Sequence, residues 1–284
     1  ISVGQVYPTK LSFICSGTVQ IKGVESPPSD PSGKHNISKY IEISGPTWLF
    51  LNITYSDQDI TNNDVNESTL KIWKYNSSGW FESGWNGTRI LDTANNIVGV
   101  NITSFSTFAV IGNLAEPSYS NFSTSYGTTD FSQVSDLSNV TNMTLATAYG
   151  KIKWLNPVYA AGEDYDSNVI IGSGFVSINV PALHSSINSS AEVTINNINC
   201  DSFNLYYAQG FYTSLSQIIS AGTLVATQDN VGGNCTDPNI CQDVQCSGNT
   251  LTFKAMHFDS FGGQSGAAPE FRIWTLLLIL VFCS

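Results

Sequence analysis

The stretch WLFLNITY, residues 48–55, decides the fold class. In extended backbone successive side chains point to opposite faces. Leu49, Leu51, Ile53 and Tyr55 then share one face, and Trp48 and Phe50 lie on the other. A period of two is that of a strand with one face on a core. The pattern recurs on either side. YIEIS (40–44) sets Ile41 with Ile43, and TLKIWKY (69–75) sets Leu70 and Ile72 opposite Trp73 and Tyr75. NIVGVNI (96–102) aligns Val98, Val100 and Ile102. The spacers SDQDITNND (56–64) and NSSGWFESGWNG (76–87) are rich in turn formers. Short strands at this spacing predict a β-sandwich over residues 37–112.

A second block, 146–262, reads the same way. KIKWL (151–155), NVIIG (168–172), FVSINV (175–180), AEVTINNI (191–198) and NTLTFKAMHF (249–258) are its strands. Val193 and Ile195 share a face, as do Leu251, Phe253 and Ala255. FYTSLSQIISAG (211–222) is the one stretch that suits a short helix, with Gly222 at its C-cap. The prediction is an all-β chain of two β-sandwich, immunoglobulin-like modules. Residues 1–36 form an N-terminal extension, and 263–284 a spacer with an apolar C-terminal segment. Residues 113–145 are rich in Ser, Thr and Asn and poor in aliphatics. Such a composition buries too little surface to offset chain entropy, so this segment reads as a linker, with Phe122 and Phe131 able to dock on a neighbour. Both blocks close on F-[SD]-[ST]-F, at Phe105–Phe108 and Phe258–Phe261. A bulge or tight twist there would bring both rings to a core. The shared ending points to related modules; the alternative is two unrelated last strands.

Only 12% of the 284 residues are charged, and the formal net charge is −11. An acidic surface disfavours nucleic acid as a partner. The chain opens ISVGQVYPTK, without a basic and apolar leader, so any signal peptide lies outside this sequence. Sequons N-x-[ST] fall at Asn36, Asn52, Asn66, Asn76, Asn86, Asn101, Asn121, Asn139, Asn142, Asn188 and Asn234. Several lie in expected loops, such as YNSSGW and GWNGTR, where a glycan needs surface. They favour an exported glycoprotein over a mere excess of Asn, Ser and Thr. The chain ends APEFRIWTLLLILVFCS (268–284). Its apolar run from Ile273 to Cys283 is about half of the roughly 20 residues that a spanning helix needs. It reads as the start of a C-terminal anchor or sorting segment.

Candidate chemistry is sparse. His35, His184 and His257 are far apart, and H-E-x-x-H, G-x-S-x-G and phosphate-loop motifs are missing. His257 reads as a structural histidine on a late strand. Asp57, Asp59, Asp64 and Glu67 crowd one turn-rich spacer, as calcium ligands do. Glu163, Asp164 and Asp166 form a second acidic stretch. Neither has a full calcium-loop spacing, and a solvated acidic turn is the plainer reading. A weak calcium site is the one cofactor expected. Trp80 and Trp85 flank a Gly-rich loop, where exposed indoles stack on sugars and buried ones pack a core. Cys200, Cys235, Cys241 and Cys246 all fall in the second block. In an exported protein they are expected to pair. At least one bridge should close within NCTDPNICQDVQCSG (234–248), as Cys241–Cys246 or Cys235–Cys246, with Cys200 taking the remaining partner. Zinc is the alternative, although the spacing lacks C-x-x-C. Cys15 and Cys283 are expected to be unpaired.

ITYSDQDITNNDVNESTLKIWKYNSSGW (53–80) followed by NNIVGVNITSFSTFAVIG (95–112) resembles a β-sandwich module of microbial, especially archaeal, surface proteins. The matching positions are Asp57, Glu67, Leu70, Trp73, Trp80, Phe105, Ser106, Phe108 and Ala109. The second block resembles Cys-containing repeats of archaeal surface proteins at Asn188, Ala191, Val193, Cys235, Cys241, Cys246, Phe253, His257 and Phe258; Met256 and Asp259 depart from that pattern. APEF and its apolar run resemble a PEF-type sorting tail without the usual terminal basic cluster. The resemblance implies a non-catalytic, glycosylated cell-surface protein with a structural or adhesive role. Its partners would be other surface proteins or glycans, and the membrane through a longer C-terminal segment. An extracellular carbohydrate-binding protein is the alternative, and a secreted hydrolase the third reading.

Overall fold

The computed structural model describes residues 2–3, 9–24 and 26–266. The apolar C-terminal run, the sorting tail and Cys283 lie outside the described residues. The described residues are mostly β, as an all-β fold requires, in four antiparallel five-stranded sheets. The first ten strands are β1 (Ser2–Val3), β2 (Thr9–Ser16), β3 (Gln20–Gly23), β4 (Lys34–Ser44), β5 (Trp48–Thr54), β6 (Lys71–Asn76), β7 (Gly79–Phe81), β8 (Asn86–Asp92), β9 (Ile97–Ile102) and β10 (Thr107–Asn113). They form sheets of order β1-β2-β5-β9-β8 and β3-β4-β10-β6-β7. The last ten are β11 (Thr144–Thr147), β12 (Gly150–Trp154), β13 (Val169–Gly172), β14 (Phe175–Ile178), β15 (Ala191–Asn196), β16 (Phe203–Ala208), β17 (Thr223–Thr227), β18 (Cys241–Ser247), β19 (Thr250–Ala255) and β20 (Ser260–Ser265). Their sheets run β11-β12-β15-β19-β18 and β13-β14-β20-β16-β17. Adding ten to each strand number of the first half reproduces the second half without exception.

The alternation in WLFLNITY is what the fold uses. Leu49, Leu51 and Ile53 are fully buried and Tyr55 nearly so, while Trp48 stays 40% exposed. Each such aliphatic side chain contributes roughly 1.5–3 kcal/mol on burial. β5 sits between β2 and β9, with Leu51 opposite both Phe13 and Val100. One buried cluster draws Leu11, Leu51 and Val100 from the first sheet and Ile41, Ile72 and Phe108 from the second. A separate cluster draws on both sheets of the second half, including Ile152, Val193 and Phe253 from one and Val176, Phe203 and Phe261 from the other. The expected short helix is present over Leu215–Ala221, with Gly222 at its C-cap in extended rather than left-handed backbone.

Three expectations are corrected. Within the expected extension 1–36, residues 10–23 are no appendage, because β2 pairs with β5 from Lys10 to Ser16 and β3 pairs with β4. Residues 113–145 do not behave as a loose linker: Phe122, Phe131, Leu137, Val140 and Met143 are buried in the second core. Short polar caps hold the turns beside them, with Asp130 accepting from Ser132 N at 3.2 Å and Asp136 from Ser138 N at 3.0 Å. The F-x-x-F endings bring their rings to a core as expected, but at a turn between two sheets rather than within one last strand. Each spans the corner where the chain leaves one sheet for the other, between β9 and β10 and between β19 and β20. Phe108, Phe258 and Phe261 are buried there, and Phe105 packs against its core from partial cover.

Candidate functional site

The acidic spacer folds as a short helix, α1 (Asp57–Thr61). Ser56 and Asp59 close a capping box, with Ser56 N donating to Asp59 Oδ2 at 2.8 Å. Asp59 also holds the ammonium of Lys39, only 3% exposed, at 3.1 Å. Asp57 accepts from Asn96 Nδ2 at 2.8 Å. Glu67 accepts the Tyr55 hydroxyl at 2.8 Å. Burial and that carboxylate push the Tyr55 phenol well above its ordinary range. Asp64, at φ +48°, turns away to the other half of the chain. The expected calcium set Asp57, Asp59, Asp64 and Glu67 is therefore not assembled: each carboxylate answers a different donor. Among the described residues no three His, Cys, Asp or Glu side chains converge as metal ligands. The second acidic stretch also diverges. Asp164 caps a short helix, α2 (Tyr165–Asn168), while Asp166 accepts from Ser120 N at 2.9 Å and Asn121 N at 2.7 Å.

Asp64 is the centre of the best-defined polar cluster, where the two halves meet. Its Oδ2 accepts the Tyr159 hydroxyl at 2.8 Å, and its carbonyl accepts Ala115 N at 2.7 Å. The Tyr159 ring stacks on His184 with centroids 4.6 Å apart. His184 N donates to Glu163 Oε1 at 3.0 Å. Burial raises the Glu163 carboxyl above its ordinary value, with Asp64 adding to the rise against the His184 bond. Burial and Asp64 likewise raise the Tyr159 phenol. Gly162 and Gly33 allow the approach. A Cβ on Gly162 would stand 2.7 Å from Asp64 Oδ1, and one on Gly33, at φ +69°, 2.2 Å from the Ser135 carbonyl. Ser32 Oγ donates to Asp136 Oδ2 at 2.9 Å, and Lys34 pairs with Asn113. A cleft of about 310 Å³ beside this cluster is lined by Asp30, His35, Leu114, Asp136 and Tyr159 among others.

The contacts of this cluster fasten the two halves to each other. Tyr159 is held as a hydrogen-bond donor. His184 Nδ1 lies 2.9 Å from Ser186 Oγ, two residues on, where the ring caps a single turn and Ser186 Oγ accepts from Tyr159 N at 2.9 Å. His35 Nδ1 lies 2.9 Å from the Asn63 carbonyl. His257 sits half-buried at the β19–β20 corner, edge-on to Tyr207 at 5.6 Å. Sequence reasoning named Asp64 and Glu163 for other roles and missed Tyr159, Gly33 and Asp136. The usable signal was the pair of glycine turns SDPSGKH and YAAGED.

Trp80 and Trp85 are both built into the fold. Trp80 Nε1 donates to the Ser29 carbonyl at 3.0 Å, and its ring meets Tyr40 and Tyr75. Trp85 Nε1 donates to the Phe81 carbonyl at 2.8 Å; its ring packs on Phe108, with Arg89 5.7 Å from the centroid. Both indoles are half-buried.

Two disulfides form, Cys200–Cys246 and Cys235–Cys241. One closes inside the predicted loop, but neither favoured partner for it is right. Cys241 and Cys246 both lie on β18. They stand opposite Ala255 and Leu251 of β19, four residues or about 13 Å apart, too far for a bridge. Cys246 instead meets Cys200 across a Cα–Cα distance of 5.4 Å. Cys15 is half-buried and has no disulfide partner among the described residues. Disulfides persist in oxidising compartments, which fits an extracellular setting. Of the sequon asparagines, Asn66, Asn76, Asn121, Asn139, Asn142, Asn188 and Asn234 are exposed, while Asn36, Asn52, Asn86 and Asn101 are half-buried. No helix among the described residues is long and apolar enough to cross a membrane. No protein-family model and no curated protein matches the sequence.

Proposed function

We propose that the chain is an exported, non-catalytic surface protein built of two related β-sandwich, immunoglobulin-like modules, with a structural or adhesive role. The repeated strand order carries this reading: two units of one topology, each with its own core, are the usual parts of extracellular arrays. Disulfides in the second unit and an acidic, sequon-rich surface suit export. The best-ordered polar cluster serves to join the units, through Asp64, Tyr159 and Ala115. Antibodies raised against the folded protein test the placement. Labelling of intact source cells is the expected result. Labelling that requires permeabilised cells would overturn it.

A further inference from the structure

The outer face of the β1-β2-β5-β9-β8 sheet carries an apolar patch of Ile14, Trp48 and Phe50 among polar residues, where its counterpart carries charges. Across it, Ile14, Phe50 and Asn101 are register partners in one row. The corresponding sheet of the second half carries the row Lys153, Glu192 and Lys254. Ile14 is 68% exposed and the neighbouring Trp48 40% exposed, large apolar side chains left open on a sheet face. On β5, positions two apart share this face, so Phe50, Asn52 and Thr54 stand in line as F-x-N-x-T. Asn52 and Thr54 are the sequon N-I-T itself. The Asn52 side chain lies down over Gly99, where a Cβ would stand 2.3 Å from its Oδ1. That oxygen is buried with no hydrogen-bond partner among the described residues. Asn52 is half-buried on the face that it shares with Phe50 and Thr54.

We propose that Asn52 carries an N-linked glycan whose first sugar lies across Phe50 and covers this apolar patch. The inference rests on the export reading above. A transferase supplies the sugar from a donor that carries it on a phosphate or pyrophosphate leaving group. The bond from Asn52 Nδ2 to the anomeric carbon forms, the bond from that carbon to the phosphate oxygen breaks, and the amide gives up one proton. The C–H face of a pyranose then rests on the π-face of Phe50. Thr54, on the same face, flanks the sugar from the other side. The second half has no sequon in its corresponding strand, β15, and its polar row needs no cover.

The test is site-resolved glycopeptide mass spectrometry on the full chain made in a glycosylating secretory host, with thermal unfolding of Asn52→Gln, Phe50→Ala and the double variant. Expected are a glycan on Asn52 and a Tm loss of about 2–4 °C for Asn52→Gln that vanishes in the Phe50→Ala background. The same substitutions in bacterially made, sugar-free protein should show no such coupling. Asn52 unmodified while Asn76 or Asn139 is occupied overturns the inference and leaves export standing. An occupied Asn52 whose Tm contribution is unchanged by Phe50→Ala overturns the stacking. A chain with every sequon bare overturns the inference and removes the glycoprotein reading with it.

Discussion

Asp64 belongs by sequence to an acidic turn, and by structure to the joint between the two halves. Its bond from Tyr159, at 2.8 Å, is charge-assisted and half-buried. Tyr159→Phe keeps the ring on His184 and removes only the donor, so it should cost about 1–2 kcal/mol in denaturant unfolding. An unchanged midpoint would show that water replaces the hydroxyl without loss. Glu163 carries a pH signature of the opposite kind to an ordinary paired carboxylate. Burial raises its folded value above 4.5, with Asp64 contributing. Its contribution to stability is thus fully present below the ordinary value and is lost as pH rises through the raised one. Glu163→Gln keeps an acceptor for His184 N and has no charge to bury. The variant should gain stability over the native chain near neutral pH, with the gap closing toward about pH 4. A Tm difference that does not change with pH would contradict this. None of these roles could be read from the acidic clusters, because one-dimensional crowding of carboxylates says nothing about which donor each side chain finds.

The elements divide by how their signal is written. Alternating strands such as β5, β9, β15 and β19 were legible, since one face is aliphatic and the other is not. β20, SFGGQS, was illegible: its glycines lie under Leu215, Ile218 and Ile198, and little alternation survives. β2 did alternate Leu11, Phe13 and Cys15, but its partner strand lies 30 or more residues away and pairing at that range leaves no local trace. The segment 113–145 was misread because composition counts aliphatics and overlooks Ser, Thr and Asp caps that let isolated aromatics be buried. The disulfides were legible as to compartment and loop but not as to pairing, which the strand path of β18 decides. Their weights should differ. Cys235–Cys241 closes a separation of 6 residues and Cys200–Cys246 one of 46. Loop-closure entropy gives about 2 kcal/mol for the first and about 4 for the second. The Cys200→Ser/Cys246→Ser pair should therefore lower the unfolding midpoint more than Cys235→Ser/Cys241→Ser. The reverse order would mean that the small loop is a local scaffold for β18. Gly33→Ala should loosen the joint, since its Cβ would stand 2.2 Å from the Ser135 carbonyl. Faster proteolysis within 113–145 of that variant is the readout; an unaltered digest would show that the joint lies elsewhere.

At the scale of the whole molecule, the two halves repeat one strand order, a large buried cluster lies in each, and hydrogen bonds such as Tyr159–Asp64 join them. Both disulfides belong to the second unit. The repeat was half visible in sequence, in the matched F-x-x-F endings; its full extent needed the pairing of strands with little sequence in common. If the units are separate modules, reduction should act on one of them. Hydrogen exchange with mass spectrometry, on the full chain with and without reductant, resolves this segment by segment. The predicted result is faster opening across β11–β20 after reduction, with protection across β2–β10 kept. Equal loss of protection in both halves, or no change in either, would contradict the two-module description.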